Sequence, residues 1–104
     1  MKEPLKAGIY RISDSAAHMS YIGYTYNLHG ILKRFRFELG LNSCTVKPLQ
    51  ARYNAAGGKV EMQVLEELPC EAGDATAEAV LKAALEKWQN TLTQSGEQVR
   101  IILL

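Results

Sequence analysis

Residues 8–10 read GIY, and from Tyr21 to Phe35 the chain reads YIGYTYNLHGILKRF. Around the first triplet, AGIYRI (7–12) alternates small, apolar and polar residues about a β-branched pair, which predicts a strand. SDSAAHMS supplies turn formers, and MSYIGYT (19–25) predicts a second strand. The two together form an antiparallel hairpin whose loop exceeds the tight two-residue type. Asn27 then stands as the N-cap of a helix running to about Gly40, which serves as its stop. Leu28, Ile31, Leu32, Phe35 and Leu39 recur at helical spacing on one side of it. Lys33, Arg34 and Arg36 therefore point away from that stripe.

Working outward, Pro48 opens a second, shorter helix ending near Ala56, since proline is tolerated in a first turn. In KVEMQVLEEL (59–68), Val60, Met62 and Val64 alternate with Glu61 and Gln63, which predicts a third strand with Val60, Met62 and Val64 facing inward. Pro69 ends it. Gly73 and Asp74 open a last helix with Leu81, Leu85, Trp88 and Leu92 on one stripe. GEQVRIILL is apolar and β-branched and supplies an optional fourth strand, at a sheet edge or against a second chain. The order β-β-α-α-β-α-(β) describes an α+β domain.

The 104 residues suit a single domain spanning 1–104, and a hydrophobic fraction of 47% is enough for a buried core. No apolar run approaches the roughly 18 residues of a membrane span, so no membrane role is expected. Cys44 and Cys70 are isolated, which fits reduced thiols in a cytoplasmic protein rather than zinc ligands or a disulfide framework. His18 and His29 have no metal-like spacing. Charge is unevenly spread. From His29 to Lys59 six bases face the single acid Glu38, a net +5; from Val60 onward eight acids face three bases, a net −5. A basic middle segment can present a phosphate-facing surface even at a total net charge of +1. The candidate nucleic-acid-binding residues are Lys33, Arg34, Arg36, Lys47 and Arg52, with Tyr24, Tyr26 and Phe37 as aromatics able to stack on bases.

The triplets Gly8-Ile9-Tyr10 and Tyr21-Ile22-Gly23, with YTYNL leading into the first helix, resemble the signature of the GIY-YIG nuclease family. The similarity extends through LQARYNAAGGKVEMQVLEELP to Trp88 of the last helix. It implies a small, mainly antiparallel three-stranded sheet flanked by about three helices, with Gly8 and Gly23 as structural members of the motif. In such a site the tyrosines orient the attacking water. An arginine on the first helix steadies charge at phosphorus, and a glutamate on the last helix holds a divalent metal such as Mg²⁺. Tyr10 and Tyr21 match the family's tyrosines.

The pattern then departs. The arginine position, eight residues beyond Gly23, is Ile31, and the glutamate position, five before Trp88, is Ala83. A histidine of some members aligns with Phe35. Arg34 and Glu86 are the nearest substitutes, Arg34 as the catalytic cation and Glu86 as a metal ligand in an active enzyme. The expectation is a GIY-YIG-like domain impaired in phosphodiester cleavage that binds DNA or another nucleic acid, or a protein partner. The alternatives are an active Mg²⁺-dependent endonuclease using Arg34 and Glu86, and an assembly module in which VRIILL pairs with a second copy as a homodimer.

Overall fold

The computed structural model describes residues 6–68 and 76–102. The chain runs β1 (Ala7–Asp14), β2 (Met19–Thr25), α1 (Leu28–Gly40), α2 (Lys47–Ala55), β3 (Glu61–Leu68), α3 (Ala77–Gln94) and β4 (Gln98–Ile101). The expected opening of α3 at Gly73 and Asp74, and the break at Pro69, lie outside the described residues, as does Cys70.

The strands form one sheet in the order β3-β1-β2-β4. β1 pairs antiparallel with β2, as expected, and also with β3, while β4 pairs parallel with β2, so the sheet is mixed. The optional strand is therefore a fourth strand of this sheet. It is tied at both ends: the Gln98 amide donates to the His18 carbonyl and the Ile102 amide to that of Ile22, each at 2.8 Å.

Because successive side chains of a strand face opposite ways, the central strands β1 and β2 feed two cores. Tyr10, Ile12 and Tyr21 face α1 and α2 and pack with Leu28, Phe35, Leu39, Cys44 and Leu49. Ile9 and Ile22 face α3 and pack with Leu85 and Leu92, with Trp88 alongside. The helices thus sandwich the sheet.

Local signals account for most boundaries. Asn27 Oδ1 accepts from the Gly30 amide at 3.0 Å, satisfying one orphan donor of α1. α1 continues through Gly40, and the left-handed residue that ends it is Asn42 (φ 58°). The Ser43 amide bonds the Glu38 carbonyl and the Asn42 amide that of Leu39, a Schellman arrangement built on asparagine instead of glycine. Gln50, almost fully buried, then fastens α2 to this turn. Its Nε2 donates to the Leu39 carbonyl and its Oε1 accepts from the Cys44 amide, both at 3.1 Å.

Simple alternation fails in β3. Val64, expected inward, keeps the face of Met62 but is exposed on this edge strand; the irregularity comes just after it. The register shifts between Ile9 and Tyr10: Tyr10 faces Val64, but Ile9 faces Glu66, skipping Leu65. This β-bulge sends the successive residues Leu65 and Glu66 both toward α3. Leu65 packs in the α3 core, and Glu66 Oε1 accepts from Trp88 Nε1 at 2.9 Å.

Candidate active site on the GIY-YIG face

Both motif tyrosines lie on the sheet face covered by α1 and α2. Tyr10 sits opposite Gly23 in the hairpin register, and Tyr21 opposite Ile12. A Cβ built at Gly23 would stand 2.5 Å from Tyr10 Oη and 2.7 Å from Cζ. The glycine of the second triplet thus leaves room for the tyrosine of the first to lie across the neighbouring strand. Gly8 serves a parallel purpose at the bulge, where a Cβ would be 2.0 Å from the Glu66 carbonyl oxygen.

Tyr10 is completely buried. Its ring lies 5.9 Å from that of Phe35, tilted by 41°, and its hydroxyl has no hydrogen-bond partner among the described residues. Burial, and secondarily the neighbouring Cys44, pushes its pKa far above the ordinary tyrosine value. A phenol so placed holds its proton and has no reach to solvent. Tyr21 is also buried, and its hydroxyl donates to the Pro48 carbonyl at 3.3 Å, tying β2 to the first turn of α2. Burial likewise raises the Cys44 thiol.

The first-helix positions divide by face. Ile31 is half-buried and packs against the α1–α2 core. Arg34 is exposed and bound to Glu38 one turn on, Nε to Oε2 at 3.3 Å. Lys33 and Arg36 are exposed and make no ion pair or hydrogen bond among the described residues, and Lys47 is exposed at the start of α2. Arg52, by contrast, turns in toward the hairpin. Its Nε lies 3.5 Å from the buried Asp14 carboxylate, within ion-pair range but not aligned as a hydrogen bond. Its Nη1 approaches the Met19 sulfur at 3.7 Å. Of the three aromatics, Tyr24 donates to Glu78 Oε1 at 3.3 Å and Tyr26 is half-buried. Phe37 is 67% exposed.

α3 stands on the other side of the sheet from Tyr10 and Tyr21. Ala83 is exposed, about 200° round the helix from both Leu81 and Leu85, so its side chain points away from the sheet. Glu86 is exposed on the same helix. The carboxylate of α3 that does reach the hairpin is Glu78, held below the ordinary carboxylate range by the hydrogen bond from Lys82, their ion pair and the Tyr24 hydroxyl. A Mg²⁺ ion needs oxygen ligands converging on one point. The carboxylates of α3 and the motif tyrosines Tyr10 and Tyr21 are on opposite faces of the sheet, and no group of three metal-ligating His, Cys, Asp or Glu side chains forms among the described residues. The described residues do not fit the ion beside Tyr10.

Two polar assemblies had no sequence signal. Arg11 spans the α3 face of the sheet, with Nε on Ser20 Oγ at 2.9 Å, Nη1 on Gln63 Oε1 at 3.2 Å and Nη2 on the Glu97 carboxylate. Ser20 Oγ donates to the same carboxylate at 2.8 Å, so the turn before β4 is locked to β1 and β2. The other is the Gln50 staple, in which a single buried amide serves two backbone groups.

This architecture has solved counterparts. The catalytic domain of homing endonuclease I-TevI superposes with a TM-score of 0.71 at 23% identity, covering 95% of this chain and all of that one. A mutant form of the catalytic domain of intron endonuclease I-TevI gives 0.70 at 23% identity, over 92% of this chain and 93% of that one. The fold is that of the GIY-YIG nucleases. No protein-family model and no curated protein matches the chain in sequence. The GIY-YIG frame is thus complete through its sheet and three helices. No helix of the described residues is long and apolar enough to cross a membrane.

Proposed function

We propose that this GIY-YIG domain is impaired in phosphodiester cleavage and binds nucleic acid through the outer face of α1. The observation that carries the proposal is the sealed Tyr10 hydroxyl. A water-positioning tyrosine must touch water, and a tyrosine acting as a base needs nearby cations to lower its pKa. The Tyr10 hydroxyl is buried away from bulk solvent with no cation beside it among the described residues, and apolar Ile31 and Phe35 stand on the side of α1 where the family pattern has an arginine and a histidine. Binding is supported by the excess of bases from His29 to Lys59 and by the exposure of Lys33 and Arg36 with no ion pair among the described residues. The solved domains that share the fold are endonuclease catalytic domains, which makes a nucleic acid the natural ligand class.

The test is incubation of labelled single-stranded, duplex and branched DNA with Mg²⁺ or Mn²⁺, with the Tyr10→Phe variant run in parallel. The expected result is no metal-dependent cleavage by either protein, together with salt-sensitive binding by both. Cleavage by the unmodified chain that disappears in Tyr10→Phe would show an active site and overturn the proposal.

A further inference from the structure

The side of α1 that faces solvent carries its own pattern. Lys33, Phe37 and Leu41 follow one another at i, i+4 and i+8, a single line along the helix. Arg36 lies one turn beyond Lys33 and about 100° round the helix from Phe37, and Gly40, whose Cβ position has nothing within 4 Å, lies beside both Arg36 and Phe37. Phe37 is 67% and Leu41 61% exposed. The one acid of the helix, Glu38, is engaged by Arg34, which leaves Lys33, one turn before Phe37, and Arg36 without an ion pair among the described residues.

We infer that this line of α1 is a stacking platform for single-stranded nucleic acid, with Phe37 under an unpaired base and Lys33 and Arg36 on the flanking phosphates. The inference rests on the nucleic-acid reading above and names which form of nucleic acid that surface takes. Base-on-aromatic stacking needs a free base face, which a duplex does not offer, and phenylalanine has no polar atom with which to read base edges in a groove. The cations supply the salt-dependent, sequence-independent part of the affinity.

A second copy of the chain is the less suited occupant. A twofold contact places the same patch on both partners, which would set Lys33 and Arg36 of one copy against the same cations of the other. The apolar part of the patch consists of two side chains, well short of the roughly 800 Å² that each partner contributes to a stable interface.

The experiment uses the intact chain and fluorescence anisotropy at low salt. The probes are a labelled oligothymidylate of about 12 nucleotides, within the usual site size, and a duplex of the same length. Phe37 is exposed, so Phe37→Ala leaves the core intact. That variant is expected to bind the single strand roughly ten- to a hundredfold more weakly and the duplex within about twofold of the unmodified protein. Phe37→Trp is expected to restore single-strand binding. Lys33→Ala should instead weaken both probes and reduce the salt slope by about 0.7 on the single strand. If Phe37→Ala binds the single strand as tightly as the parent, or weakens both probes equally, the stacking inference is overturned while the basic face remains a nucleic-acid surface. If the parent binds neither probe at low salt, the inference and the reading beneath it both fall.

Discussion

Gly8→Ala is expected to cost about 3 kcal/mol or more of folding stability, a large fraction of what a domain of this size possesses. The new methyl carbon would lie 2.0 Å from the Glu66 carbonyl oxygen and 3.0 Å from its carbon, with Leu28 Cδ1 also at 3.0 Å. The first two of these are backbone. They belong to β3, which is paired to β1 along the whole length from Ala7 to Ser13, so the strand cannot retreat locally. Relief would require undoing the bulge, and the bulge is what directs both Leu65 and Glu66 to α3. The damage should therefore spread to the Glu66–Trp88 hydrogen bond. Urea unfolding monitored through Trp88, the single tryptophan of the chain, measures both effects. A Gly8→Ala protein with parental stability and an unchanged tryptophan signal would mean that β3 does not press on Gly8.

Gly23→Ala is the second large effect, expected at about 2–3 kcal/mol. Here the obstacle is a side chain: Tyr10 Oη at 2.5 Å and Cζ at 2.7 Å. The tyrosine cannot swing aside, because it is buried against Phe35 and surrounded by Ile12, Leu39 and Leu49 of the same core. Coupling follows from this contact. In a double-mutant cycle Tyr10→Phe should relieve part of the Gly23→Ala loss, since it removes the nearer atom and leaves Cζ in place. Strict additivity of the two substitutions would contradict the packing described here. Both glycines are thus explained by what leans on them, without reference to catalysis.

The sequence carried the frame because its signals were local. The hydrophobic stripe of α1, the Asn27 cap, the proline in the first turn of α2 and the long hairpin loop are each legible within a dozen residues. The resemblance of GIY and YIG added the sheet. What remained hidden depended on pairs distant in the chain. Alternation places Val64 on the correct face, opposite Tyr10, but cannot show that β3 is an edge strand where that position is left uncovered, and the bulge that turns Leu65 and Glu66 to α3 depends on the pairing with β1. Arg52 was grouped with the nucleic-acid-binding bases, although Asp14, far earlier in the chain, draws it into the hairpin. Arg11 and Glu97, bonded across nearly the whole chain, had no reason to be associated. One feature was readable in principle: Leu81 and Leu85 on the buried stripe of α3 already place Ala83 on the outer side of the helix.

That placement bears on attempts to rebuild an active site. A glutamate at position 83 would project into solvent on the far side of α3, and an arginine at position 31 would enter the core on the opposite face of the sheet. The electrostatic partners of a phosphoryl-transfer site would still not meet at Tyr10.

The central claim is that Tyr10 is a packed core residue whose hydroxyl is closed off, and the equilibrium stability of Tyr10→Phe tests it most directly. A buried hydroxyl without a partner is a cost to the folded state, so its removal should leave stability unchanged or raise it by about 1 kcal/mol near pH 7. The same burial has a pH signature. Tyr10 has a raised pKa when folded, so its neutral form favours the folded state fully below the unfolded value near 10, and that advantage is lost as pH climbs beyond it. The parent should therefore lose stability more steeply than Tyr10→Phe in urea titrations carried above about pH 10. A Tyr10→Phe protein that is equally or more stable at pH 7 and flatter at alkaline pH is the predicted result. A loss of about 1.5 kcal/mol or more at pH 7 would mean that the hydroxyl has a partner, and the account of a sealed site would be wrong.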